Sequence, residues 1–172
     1  MIFKAEKIEQ PYSGQYNEKI YDIQSVWNSS QWTWIKFTDE DEEWCGEFRG
    51  EYRGVALSNK LEVIVVLTSD YMYMLDIDTG ELIGYEDALG YLDITTSPLG
   101  DIFITDGYDI ETFTSNKIDA REDMIIPVRP DDLKFIEWKG NILKVSCYEF
   151  LSWDEKIELY FDCASLQWIN RI

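Results

Sequence analysis

An apolar residue followed by aspartate recurs at even spacing along this chain. Leu75-Asp76, Ile118-Asp119 and Phe161-Asp162 stand 43 residues apart at each step. The pairs that trail them, Leu82-Ile83, Ile125-Ile126 and Trp168-Ile169, keep the same spacing. A period of this size fits one four-stranded antiparallel sheet with its connections. A unit that small buries its apolar faces only by stacking on its neighbours.

The copy that is easiest to read is the first. Leu61 to Leu67 is β-branched and almost continuously apolar, as a strand buried on both faces should be. Ser69-Asp70 makes a short turn, and Tyr71-Met72-Tyr73-Met74-Leu75 forms the next strand. Asp78-Thr79-Gly80 closes a hairpin, with Gly80 free to take positive φ. Glu81 to Tyr85 is a short outer strand. This succession of strand, tight turn, strand ending in apolar-Asp, and Asp-x-x-Thr-Gly turn resembles a blade of the quinoprotein-type β-propellers. The resemblance implies a stack of antiparallel blades and specifies no activity.

Further copies are expected over residues 91–126 and 134–169, after the first at 55–85. The preceding strands recur as Asp101 to Asp106 and Ile142 to Cys147. The second copy departs from the pattern, with Arg121-Glu122-Asp123 where the Thr-Gly turn would be. Residues 20–54 are irregular but strand-rich, with strands predicted at Tyr21–Trp27, Gln31–Thr38 and Glu43–Arg49. Residues 1–19 are predicted to be an arm or edge segment. The expected fold is one all-β domain over residues 1–172. Its antiparallel sheets would form three to four propeller-blade-like repeats in an incomplete, half propeller whose open faces expose apolar or aromatic surface. The alternative is a β-sandwich or barrel.

Charge constrains the partner. Fifteen basic residues face 34 acidic ones, a net charge of −19. Such a chain lacks the basic footprint that nucleic acid or anionic lipid requires, and its complement is a basic macromolecule. The three cysteines, Cys45, Cys147 and Cys163, have no CxxC spacing. They read as small buried hydrophobes in a reduced compartment, with a Cys147–Cys163 disulfide the less favoured reading. Met1 to Glu6 carries no signal-peptide pattern, and the longest apolar run, Val63 to Leu67, is too short to span a membrane. The expected location is cytoplasmic.

Histidine is absent. That removes the commonest general base and most zinc and copper site types. No phosphate-cradling glycine loop is present, and Gly46, Gly50 and Gly54 read as bulges or hairpin corners in a crowded sheet. Hence no enzyme is expected, and no catalytic residue, metal or cofactor is assigned. The densest carboxylates are Asp39, Glu40, Asp41, Glu42 and Glu43, a predicted hairpin tip without the spacing of a calcium loop. A second acidic stretch interleaves aromatic and apolar residues and contains Asp106, Tyr108, Asp109 and Glu111. Trp27 and Trp153 adjoin turns and are the better surface candidates among the tryptophans. The contact set read from these features is Asp39, Glu40, Asp41, Glu42, Glu43, Asp106, Tyr108, Asp109, Glu111 and Trp153.

In size, acidity and aromatic content the chain resembles the immunity proteins of bacterial contact-dependent inhibition and other polymorphic-toxin systems. The resemblance implies an inhibitor that occupies the groove of a cognate basic toxin, a nuclease by preference, with steered association. The alternative is a carbohydrate-binding or glycosidase-like protein that uses Trp or Tyr with paired carboxylates.

Overall fold

A computed structural model describes residues 1–88 and 90–169, with the side chain of Trp153 outside the description. All regular structure in it is β. Among the described residues sixteen strands form four sheets of four, and none closes into a barrel. The first sheet contains β1 (Lys4–Ile8), β2 (Asn17–Tyr21), β3 (Trp32–Thr38) and β4 (Glu43–Arg49). The second contains β5 (Tyr52–Ser58), β6 (Val63–Thr68), β7 (Tyr71–Asp76) and β8 (Leu82–Asp87). The third contains β9 (Asp93–Thr96), β10 (Ile102–Thr105), β11 (Ile110–Phe113) and β12 (Arg121–Asp123). The fourth contains β13 (Pro130–Lys139), β14 (Ile142–Glu149), β15 (Ser152–Asp162) and β16 (Gln167–Ile169).

The second, third and fourth sheets are antiparallel meanders in chain order. Three hydrophobic cores lie between consecutive sheets. Along β6 the side chains alternate between two of them. Ile64 and Val66 face the first sheet beside Tyr73, Phe37 and Phe48, while Val63, Val65 and Leu67 face the third beside Ile102 and Ile104. Every residue of β6 is buried, the outcome expected of its unbroken apolar run. A fully buried side chain of this kind contributes about 1.5–3 kcal/mol. The third core joins Phe103 and Ile110 to Leu143, Val145 and Phe161 of the fourth sheet.

Neighbouring sheets are tied at similar positions, so the cross-links have nearly constant sequence separation. Ser58 donates to the Gly100 carbonyl (2.5 Å), the Phe135 amide to Asp93 (3.0 Å), and the Trp138 indole to Thr95 (2.9 Å). These links make β5, β9 and β13 run in the same direction. β1 runs the other way, because Ile2 donates to Ile77 at the far end of the second sheet while Lys7 lies over the Tyr52 ring at the start of β5. The first sheet is therefore reversed, its order is β1-β3-β4-β2, and β2 is parallel to β4.

The strands predicted at Gln31–Thr38 and Glu43–Arg49 are β3 and β4, and the reading of the residues before them is corrected in part. Of the two readings of residues 1–19, the edge segment stands and the arm does not: β1 pairs with β3 along its whole length at one edge of the first sheet, β2 lies at the other edge, and Ile2 is buried in the first core. Of the predicted strand Tyr21–Trp27, only Tyr21 lies in a strand. The open faces carry charge pairs among aromatic and apolar side chains such as Trp32, Ile136 and Tyr160. On the outer face of the first sheet, Lys36 pairs with Glu6 (3.1 Å) and Glu43 (3.2 Å), and Arg49 lies 3.8 Å over Trp32. On the fourth, Lys144 pairs with Glu158 (2.7 Å) and Lys139 with Glu137 (2.9 Å).

The even repeat has a physical basis in two copies out of three. Asp76 ends β7 and accepts hydrogen bonds from the amides of Asp78 (3.0 Å) and Thr79 (2.9 Å) and from the Thr79 hydroxyl (2.9 Å). Asp162 ends β15 and receives the Ala164 amide and the Ser165 hydroxyl, both at 2.9 Å. Asp119 sits instead in the loop before β12, and Thr114 takes the equivalent place after Phe113. Its amide and hydroxyl bond the Ala120 carbonyl. The hydrogen bonds to Asp76 hold its carboxyl below the usual carboxylate range. A depressed folded-state pKa contributes stability above the unfolded pKa, and that contribution is lost as pH falls through the folded value. Asp76→Ala should therefore cost about 1 kcal/mol at neutral pH. The deficit should shrink toward zero as both proteins are titrated below the carboxylate range in urea denaturation. A deficit independent of pH would remove the charge from this account.

Candidate functional site

The sheets present two sets of turns at opposite ends. One end, here the Asp70 end, carries the turn Ser69-Asp70, the loop 22–31, the turn 106–109 and the hairpin at Phe150-Leu151. The other, the Gly80 end, carries the hairpin 39–43 and the turns at 76–81 and 162–166. The first sheet's reversal places its hairpin at the Gly80 end, where Phe3 donates to Thr38 and Ile2 to Ile77.

The sequence-predicted contacts are thereby divided. Asp39 to Glu43 lie at the Gly80 end. Asp39 accepts the amides of Asp41 (2.8 Å) and Glu42 (2.9 Å), which hold its carboxyl low and close the hairpin. Glu43 is paired with Lys36, and Glu42 accepts a hydrogen bond from Asn17 (3.3 Å). Glu40 and Asp41 are exposed. Asp106, Tyr108 and Asp109 lie at the Asp70 end. Asp106 accepts the amides of Tyr108 (2.8 Å) and Asp109 (2.9 Å), while Tyr108 and Asp109 are themselves exposed. Trp153 lies, as to its side chain, outside the described residues.

Glu111 belongs to an internal network rather than to the surface. It accepts hydrogen bonds from Tyr91 (2.7 Å) and Arg121 (2.7 Å), and Arg121 also pairs with Glu86 of β8 (2.7 Å). Burial together with the Glu111 contact pushes the Tyr91 phenol up to about 12. The network joins the outer edges of the second and third sheets.

Two exposed residues at the Asp70 end complete the picture, and Val26 among them is one that sequence reasoning missed. Val26 and Trp27 project from the loop 22–31, with 92% and 90% of their surfaces accessible. The loop beneath them is held. Tyr71 donates to Asn28 (2.5 Å), Asn28 to the Ile23 carbonyl (2.5 Å), and the Ser29 amide to Asp70 (2.7 Å). Arg49 grips Asp22 through two nitrogens at 3.0 and 2.8 Å and keeps its carboxyl low. Trp27, a surface candidate from the sequence, stands directly before the turn-forming residues Asn28-Ser29-Ser30. A recess of about 110 Å³ next to Trp27 is lined by Asn28, Asp70, Tyr71 and Asp87. Across the same end, a cleft of about 470 Å³ between the third and fourth sheets is lined by Tyr108, Asp109, Ile125, Arg129 and Phe150. There Arg129 lies 3.9 Å over the Phe150 ring.

The cysteines do not supply a nucleophile. All three are free and buried, and burial pushes the Cys45 thiol up to about 11 and raises those of Cys147 and Cys163. Among the described residues no group of three His, Cys, Asp or Glu is placed to hold a metal ion. Gly50 and Gly54 do stand where the crowded-sheet reading placed them, Gly54 at a bulge of β5 against Ile94.

The fold and this end of it define an all-β protein of four stacked four-stranded sheets, with apolar and carboxylate side chains displayed together on its loops. No protein-family model matches the chain, and no curated protein matches it.

Proposed function

We propose that this protein is an acidic inhibitor of the immunity-protein kind, built on a half-propeller-like stack, which binds a cognate basic protein toxin and covers its active-site groove. The observation that carries this reading is the net charge of −19 on a chain whose few cations are largely spent internally. Lys36, Arg49, Lys60, Arg121 and Lys144 are all engaged by carboxylates of the same molecule. What remains outward is predominantly negative. A toxin that acts on RNA or DNA presents a positive groove, and opposite fields raise the encounter rate toward roughly 10⁸–10⁹ M⁻¹s⁻¹. The inhibitor would act in the cytoplasm of the cell that makes it.

On this reading the gene should lie directly downstream of one for a large secreted protein with a basic C-terminal domain, and the test is co-expression with that domain. Growth should be restored, and the pair should co-purify at moderate salt. If growth is not rescued and no complex survives moderate salt, the inhibitor reading is wrong.

A further inference from the structure

We infer that the partner docks on the Asp70 end, with Trp27 as its central anchor and Val26 beside it, and that the acidic hairpin at the opposite end takes no part. The inference rests on the inhibitor reading for the identity of the partner and on geometry for the choice of surface.

Two adjacent large apolar side chains, each about nine-tenths accessible, are an unusual expense on a chain of this size. A mobile loop would fold them back onto the protein. This loop cannot do so, because its backbone is fixed on both sides of the pair: Asn28 bridges Ile23 and Tyr71, and Ser29 is bonded to Asp70. An aromatic residue held in advance in its projecting position loses little entropy on binding, which is the character of an interface hot spot.

The surroundings state the chemistry of the occupant. Asp87 borders the recess beside Trp27, and Glu51 is exposed next to Ser69. The nearby cations are occupied: Arg49 is bound to Asp22, and Arg53 donates to the carbonyls of Ala88 and Tyr91. An apolar anchor within a negative rim fits a protein surface that offers an apolar recess ringed by lysine and arginine. At the Gly80 end the exposed pair Glu40 and Asp41 has charge, but the hairpin that carries it displays no comparable apolar anchor.

The experiment measures affinity and association rate of purified variants for the toxin domain used in the co-expression test. Trp27→Ala should weaken binding about 30-fold or more, the size of a hot-spot truncation. Asp87→Lys should slow association, and the difference from wild type should narrow as salt is raised. The double variant Glu40→Lys/Asp41→Lys should keep its affinity within about twofold. Because these side chains are exposed, an unchanged urea midpoint verifies that each variant is folded. If wild type binds and Trp27→Ala binds within about twofold of it, the docking surface is misplaced while the inhibitor reading stands. If the Glu40→Lys/Asp41→Lys variant loses binding and Trp27→Ala does not, the Gly80 end is the interface. If wild type does not bind the toxin domain at all, the inhibitor reading fails and this inference falls with it.

Discussion

Replacing Arg121 with methionine is expected to destabilise the protein by about 3 kcal/mol, the largest loss from any single charged side chain among the described residues. The guanidinium is 12% exposed and is shared by two carboxylates, Glu86 on β8 and Glu111 on β11, each at 2.7 Å. It also donates to the Ile118 carbonyl and packs over the rings of Tyr91 and Phe113. Methionine restores the packing but leaves two partly buried carboxylates facing one another without a counter-charge. That uncompensated charge, more than any lost attraction, makes breaking such a pair costly. Two companions identify the cause. Arg121→Lys keeps the charge and loses the two-pronged geometry, so its loss should be intermediate. The triple variant Arg121→Met/Glu86→Gln/Glu111→Gln removes the repulsion and should recover most of the stability. Urea denaturation measures all three. If the triple variant is no more stable than Arg121→Met, the cost lies in packing, and the electrostatic account is wrong.

The same residues show why some of the fold was legible in the sequence and some was not. The second sheet was readable because it is buried on both faces. Two-sided burial writes itself as an unbroken apolar run from Val63 to Leu67, and the turn chemistry of Asp76 to Gly80 is local. The second copy of the apolar-Asp pair, Ile118-Asp119, failed for the opposite reason. Thr114 caps that strand through its own hydroxyl, and in a chain so rich in aspartate an uncapping Asp falls into register without a structural cause. In the first sheet the two central strands, β3 and β4, were legible, while the edge strands β1 and β2 were hidden because they are short and mostly solvent-exposed. The parallel partnership of β2 with β4 leaves no trace in local pattern either. The candidate surface was the least legible part. Glu111 looked like surface charge until the fold brought Arg121 and Tyr91 to it. Trp27 is made conspicuous by Asp70 and Tyr71, which lie more than forty residues away in sequence and hold its loop in place.

That dependence converges on Gly50, and its replacement by alanine should cost about 3 kcal/mol or more. Gly50 joins the first sheet to the second with φ of 108°, a region that side-chain-bearing residues avoid. A Cβ there would stand 2.5 Å from the Thr68 hydroxyl, 2.8 Å from Thr68 Cβ and 2.9 Å from the Asp70 amide. Neither Thr68 nor Asp70 is free to retreat. The Thr68 hydroxyl donates to the Arg49 carbonyl, the Ser69 amide donates to the Glu51 carbonyl, and Asp70 holds Ser29. Gly14 supplies the control, with φ of 78° and open space where its Cβ would be. Gly14→Ala should therefore show only the conformational part, about 1 kcal/mol. Equal losses at the two positions in urea denaturation would mean that crowding at the junction contributes nothing. The junction also carries a functional consequence. The strand joint at Gly50 and the base of the Trp27 loop share Arg49, Ser29 and Asp70. Gly50→Ala should consequently weaken toxin-domain binding at temperatures where the variant is still fully folded, by releasing the loop that presents the anchor. Shortening the side chain at Trp27 removes the anchor itself, so adding Gly50→Ala to Trp27→Ala should produce little further loss of affinity. Fully additive losses would separate the two sites and leave Gly50 a purely structural joint.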